Sequence, residues 1–77
     1  MKVFWAAAAE RDRADILAYI SEDNPLAAIR MDEIFAEAAS RLGEHPFLGK
    51  AGLIPGTREL IPHESYRLVY EVGGDAV

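Results

Sequence analysis

The side chains with the most chemical capacity in this chain are three cations, Lys50, Arg58 and Arg67. A guanidinium presents a planar fork of donors that stays charged at neutral pH, so two of them on a rigid support suit a phosphate or a carboxylate. An arginine can equally close a surface ion pair with Glu59 or Glu71, and residue types alone leave that reading open. Groups for proton transfer are sparse. His45 precedes a proline, His63 sits in a polar break, and cysteine is absent. Without thiols there is no disulfide and no thiolate metal site. The two histidines form no recognisable ligand spacing, so neither a metal nor a cofactor is expected.

Arg58 and Arg67 lie in a stretch, Gly56 to Val72, that reads as a β-hairpin. Tyr66, Leu68, Tyr70 and Val72 alternate with Arg67, Val69 and Glu71, the period-two pattern of a half-buried strand. Gly56 to Ile61 reads as the partner strand, and Pro62-His63-Glu64-Ser65 as the reversal. With His63 and Glu64 as the loop, Ile61 lies opposite Tyr66, Leu60 opposite Arg67 and Arg58 opposite Val69. That register places both arginines on the face away from the core. A slip of one residue separates them.

The upstream segments must supply that core. Met1 to Trp5 reads as a short strand with Trp5 inward. Ala6 to Glu22 reads as a helix with an apolar stripe of Ala9, Ile16, Leu17 and Ile20, and with Arg11 and Asp15 spaced to pair on its other face. Asp23-Asn24-Pro25 ends it and starts a second helix to about Leu42, with Gly43 as its stop. The seam of that helix is Ala28, Met31, Phe35, Ala38 and Leu42, widened by Ala27, Ile34 and Ala39. This is wider than one sheet contact needs, which suggests a second apolar contact. Glu44 to Pro55 reads as a loop with Phe47 and Leu48 tucked under the sheet. Gly73 to Val77 reads as a tight turn entering a further strand.

The expected fold is therefore α+β in one domain, residues 1–77. An N-terminal strand and an antiparallel helical hairpin pack on one face of a small, mainly antiparallel sheet whose last strand is missing or incomplete. A chain of 77 residues buries only about 60% of its unfolded surface, so a stabilising partner is expected. A net charge of −5 opposes non-specific attraction to polyphosphate. No stretch is apolar enough to span a membrane or to serve as a signal peptide, which points to the cytoplasm.

Gly56-Thr57-Arg58-Glu59-Leu60, followed by Tyr66-Arg67-Leu68-Val69-Tyr70-Glu71-Val72, resembles the sheet of the ParE/RelE superfamily of toxins. The resemblance extends through Trp5, Tyr19-Ile20, Asp23-Asn24-Pro25, Pro46 and Gly49-Lys50, so it covers nearly the whole chain. It implies the toxin half of a bacterial toxin–antitoxin pair. A cognate, ParD-like antitoxin would cover the helical surface at Met31, Ile34 and Phe35 and the open sheet edge. Likeness to the ParE branch implies a non-enzymatic inhibitor of DNA gyrase with Lys50, Arg58 and Arg67 as target contacts. Likeness to the RelE branch implies a ribosome-dependent mRNA endonuclease with Arg58 and Arg67 as catalytic groups, although Leu60 stands where that branch has a lysine. The acidic charge and the lack of an evident acid–base pair favour the ParE branch. Family members continue past Val77 with a strand and a short tail, so an inactive, antitoxin-binding fragment is a third reading.

Overall fold

Alanine gives up the least side-chain entropy in a helix, and the run from Ala6 to Ala9 starts one. In a computed structural model, which describes residues 1–73, α1 spans Ala7–Asp23 and α2 spans Pro25–Glu44. Asn24 serves both helices: its backbone N–H closes α1 on the Ile20 carbonyl, and its side chain accepts the Ala27 N–H at 3.1 Å. Pro25 then fills the first helical position of α2, where a missing N–H costs nothing. Gly43 does not stop this helix, which runs on to Glu44 and closes with the His45 N–H on Arg41. The glycine instead leaves room, because a Cβ there would come within 2.9 Å of the Met1 carbonyl oxygen.

Three strands follow, β1 (Lys50–Ala51), β2 (Arg58–His63) and β3 (Tyr66–Tyr70), paired antiparallel in the order β1-β2-β3. Two-residue β1 falls in the stretch that reads as loop, since periodicity cannot be seen over so short a span. Met1–Trp5 contributes only an isolated bridge at Lys2 and not a strand. The turn and strand expected at residues 74–77 lie outside the described residues.

The hairpin differs from expectation in register. The turn is Glu64–Ser65, and the partners are His63 with Tyr66, Leu60 with Leu68, Glu59 with Val69 and Arg58 with Tyr70. Pro62 is the physical reason. It has no N–H for the ladder, so the strand carries it in a bulge between Leu60 and His63, and the extra residue shifts the pairing. Arg58 therefore lies on the face of Leu60, Leu68 and Tyr70, and Arg67 on the face of Glu59 and Val69.

The helical hairpin covers one face of the sheet, giving the α+β architecture. Ala28, Phe35, Ala38, Ala39 and Leu42 of α2 form the buried apolar core. Phe35 meets Tyr66 edge to face, with centroids 5.7 Å apart and planes at 87°, so β3 turns its even-numbered residues toward the helices as its alternation predicts. α1 buries no residue completely. It is tied to α2 by Arg13, whose Nε donates to Asp32 Oδ1 at 2.7 Å while its guanidinium lies 4.7 Å from the half-buried Trp5 ring. Among the described residues the ion pairs are Arg13–Asp32 and Arg67–Glu59, so Arg11 and Asp15 do not pair. No helix of the described residues is long and apolar enough to cross a membrane.

Candidate functional site

Glu59 organises the sheet face that points away from the helices. β1 places Lys50 directly across from it, β3 places Val69 on its other side, and Arg67 lies two residues along on the same face. A carboxylate on an open sheet face would ordinarily be wet, yet Glu59 is only 6% exposed. The turn before β2 folds over it, and the Leu53 N–H donates to Oε2 at 3.0 Å. Arg67 Nη1 donates to Oε1, also at 3.0 Å. These contacts hold the carboxyl below its ordinary value of 4.5, the Leu53 N–H most strongly, then Arg67 and more distantly Lys50, against burial, which acts in the opposite direction. The group thus stays ionised while nearly enclosed. Lys50 forms no ion pair among the described residues and is exposed.

Arg58 does different work on the opposite face. Its Nε donates to the Gly49 carbonyl at 3.0 Å and its Nη2 to the Phe47 carbonyl at 3.2 Å, and the guanidinium lies 5.2 Å from the Phe47 ring. Beside it the Tyr70 hydroxyl donates to the Pro46 carbonyl at 2.8 Å and accepts the Gly49 N–H at 2.9 Å. The loop is drawn in so closely that a Cβ on Gly49 would sit 2.6 Å from the Glu59 carbonyl oxygen and 2.7 Å from the Tyr70 hydroxyl. Phe47 and Leu48 are exposed instead of lying under the sheet. The Phe47 ring is the outer cover of the Arg58 guanidinium, a stacking preference that loop position does not reveal.

The structure therefore brings Lys50 and Arg67 together around Glu59 and separates Arg58 from them. Two guanidiniums do not converge on a common anion. His63 accepts the Ser65 N–H through Nδ1 at 3.2 Å beside the hairpin turn, and His45 lies exposed at the end of α2. Among the described residues no three His, Asp or Glu side chains converge as a metal ion would need. On α2, Met31 and Ile34 are half-buried, whereas Phe35 is 4% exposed and packs within the core. Sequence reasoning named Glu59 as an ion-pair partner for an arginine, which Arg67 fulfils, but missed its burial, and it missed Gly49 and Tyr70 as organisers of the site. An inward tyrosine needs a partner for its hydroxyl, and that signal was available for Tyr70.

The family model described as "ParE toxin of type II toxin-antitoxin system, parDE" matches residues 3–77. A protein of Sinorhizobium fredii (strain NBRC 101917 / NGR234) named "Putative toxin Y4kP" is 35% identical over 75 residues, which cover 96% of this chain and 78% of that protein. Matched along almost its whole length, and folded as a helical hairpin on an antiparallel sheet, the chain belongs to the ParE toxins of type II toxin–antitoxin systems.

Proposed function

We propose that this ParE-family chain inhibits DNA gyrase by protein contact in the cytoplasm and is neutralised by a cognate, ParD-like antitoxin. The observation that carries the reading is the commitment of the two arginines. Arg58 is spent on two loop carbonyls, and Arg67 on a buried carboxylate, on opposite faces of the sheet. Cleaving a phosphodiester asks for donors converging on the scissile phosphate and a group that moves the proton. Protein recognition asks for less. A half-exposed Arg67 and an exposed Lys50 beside exposed Val69, Leu53 and Ile54 have the mixed apolar and cationic character of a contact surface. Arg58 enters recognition by fixing the loop that carries Phe47 and Lys50. On the helical side, Met31 and Ile34 form the proposed antitoxin contact, with Phe35 supporting them from beneath.

The test pairs a gyrase supercoiling assay with a ribosome-programmed mRNA cleavage assay on the same protein. Supercoiling is expected to fall and mRNA to stay intact, and Lys50→Ala with Arg67→Ala is expected to restore both supercoiling and growth. Cleavage without supercoiling inhibition would overturn the gyrase assignment. Inactivity in both, with antitoxin binding retained, would leave an antitoxin-binding protein.

A further inference from the structure

We infer that, given the proposed action by protein contact, the turn before β2 is a preformed apolar knob whose Leu53 and Ile54 anchor the chain in an apolar cleft with a carboxylate rim on the target protein. Leu53 is 88% exposed and Ile54 64%, and Pro55 beside them is exposed as well. Single exposed aliphatic residues are ordinary on a protein surface, whereas a contiguous apolar projection marks a contact. In a slack loop such a pair would fold back and take part of its surface out of water. Here the backbone is tied too closely for that. The Gly52 N–H donates to the Thr57 carbonyl at 2.8 Å and closes the turn across its base. The Ile54 carbonyl accepts twice from Thr57, from its N–H at 3.1 Å and from Oγ1 at 2.6 Å. Gly52 lies so near that a Cβ on it would overlap the Thr57 hydroxyl. The Leu53 N–H is held by Glu59, which Arg67 holds in turn. The knob is therefore ordered before a partner arrives, so binding gives up little further conformational entropy.

Shape and charge specify the occupant. A projection that encloses nothing is complemented by a concave surface, and its side chains call for an apolar floor. The seven residues from Ala51 to Thr57 are uncharged, and a cation stands at each end of them, Lys50 and Arg58. Neither forms an ion pair among the described residues. Glu59 is met by Arg67, whose side chain is still half-exposed. Around the base of the knob Lys50, Arg58 and Arg67 outnumber Glu59 and Glu71, in a chain whose net charge is −5. This local excess of positive charge matches carboxylates around the cleft.

The experiment measures binding to DNA gyrase, and growth arrest on induction, for the 77-residue chain and for its Leu53→Ser, Ile54→Ser variant. Both positions are exposed and serine keeps the backbone donors and acceptors of the turn, so the melting temperature is expected to stay unchanged. Binding is expected to weaken at least about tenfold and growth arrest to be lost. Thr57→Val removes the Oγ1 bond and leaves both anchors in place, and it is expected to weaken binding by about 2- to 5-fold. Wild-type binding is expected to weaken as salt rises. A smaller loss in the serine variant, or wild-type binding indifferent to salt, would overturn the proposal. So would sedimentation showing a dimer of the free chain that the serine variant dissolves, because a second copy would then occupy the knob. Wild-type growth arrest without gyrase binding would remove the gyrase assignment alone, and survival of that arrest in the serine variant would then overturn the knob. A wild-type chain that neither binds gyrase nor arrests growth would overturn both.

Discussion

The two helices are of similar length, 17 and 20 residues, yet they are held by different forces. α2 buries five side chains between α1 and the sheet, Phe35 and Leu42 the largest among them. α1 buries none completely, and its inward residues Ala9, Arg13 and Ile16 border an open groove. α1 owes its form to alanine propensity and to one arginine tether, and α2 owes its position to packing. Among the described residues the packing is thus close on the sheet side of α2 and open along α1. The closely packed side carries more of the stability.

The sharpest way to break this comparison is to truncate one apolar residue from each helix. Phe35→Ala should cost about 3–5 kcal/mol, most of what a small domain has, and urea denaturation should show a lost or strongly shifted transition. Ile16→Ala, on the half-exposed wall, should cost about 1 kcal/mol in the same measurement. Equal losses would mean that α1 packs as firmly as α2. Next in size, Tyr70→Phe removes the hydroxyl that bridges Pro46 and Gly49. It should lower stability by about 1–3 kcal/mol and speed amide exchange at Gly49, leaving α1 unaffected. Arg13→Ala should cost about 1 kcal/mol, and its signature is faster exchange in α1 with β2 and β3 unchanged.

The final test reads a slope. Glu59 is held below its ordinary value in the folded chain, so its stabilising contribution is present above pH 4.5 and is lost as pH falls through the lowered folded value. Glu59→Gln should flatten the acid limb of a stability–pH curve. An unchanged acid limb would show that the carboxylate is no more stabilised in the folded chain than in the unfolded one.

Local rules were legible and tertiary ones less so. Asn24 and Pro25 marked the helix junction because a cap and a proline each have a local mechanism. The alternation from Tyr66 to Tyr70 fixed which residues of β3 face the helices, because period two is written in the strand itself. The placement of Arg58 and Arg67 on one face failed because a bulge sets two residues of β2 against one of β3, and no periodicity within β2 announces it. Gly43 read as a helix stop because local rules give glycine that meaning, whereas here it is needed by a chain terminus distant in sequence. Lys50 and Glu59 were both named, but their position across the sheet from each other was visible only once β1 had a partner.

The bulge around Pro62 also bears on which insertions and deletions this hairpin can survive. With Pro62 fixed between Leu60 and His63, the pairing of β2 and β3 is set from Leu60 back to Arg58. Losing one residue of the Glu64–Ser65 turn would exchange the two faces of one strand relative to the other, turning Glu59 inward or Arg67 away from it, whereas losing the extra residue of the bulge, Ile61 or Pro62, would regularise β2 and keep Leu60 opposite Leu68. Length changes in the turn around Gly56, where the backbone is exposed and φ is +85°, would leave the pairing untouched. Among related chains, gaps should therefore gather before β2 or at the bulge and be rare in the Glu64–Ser65 turn.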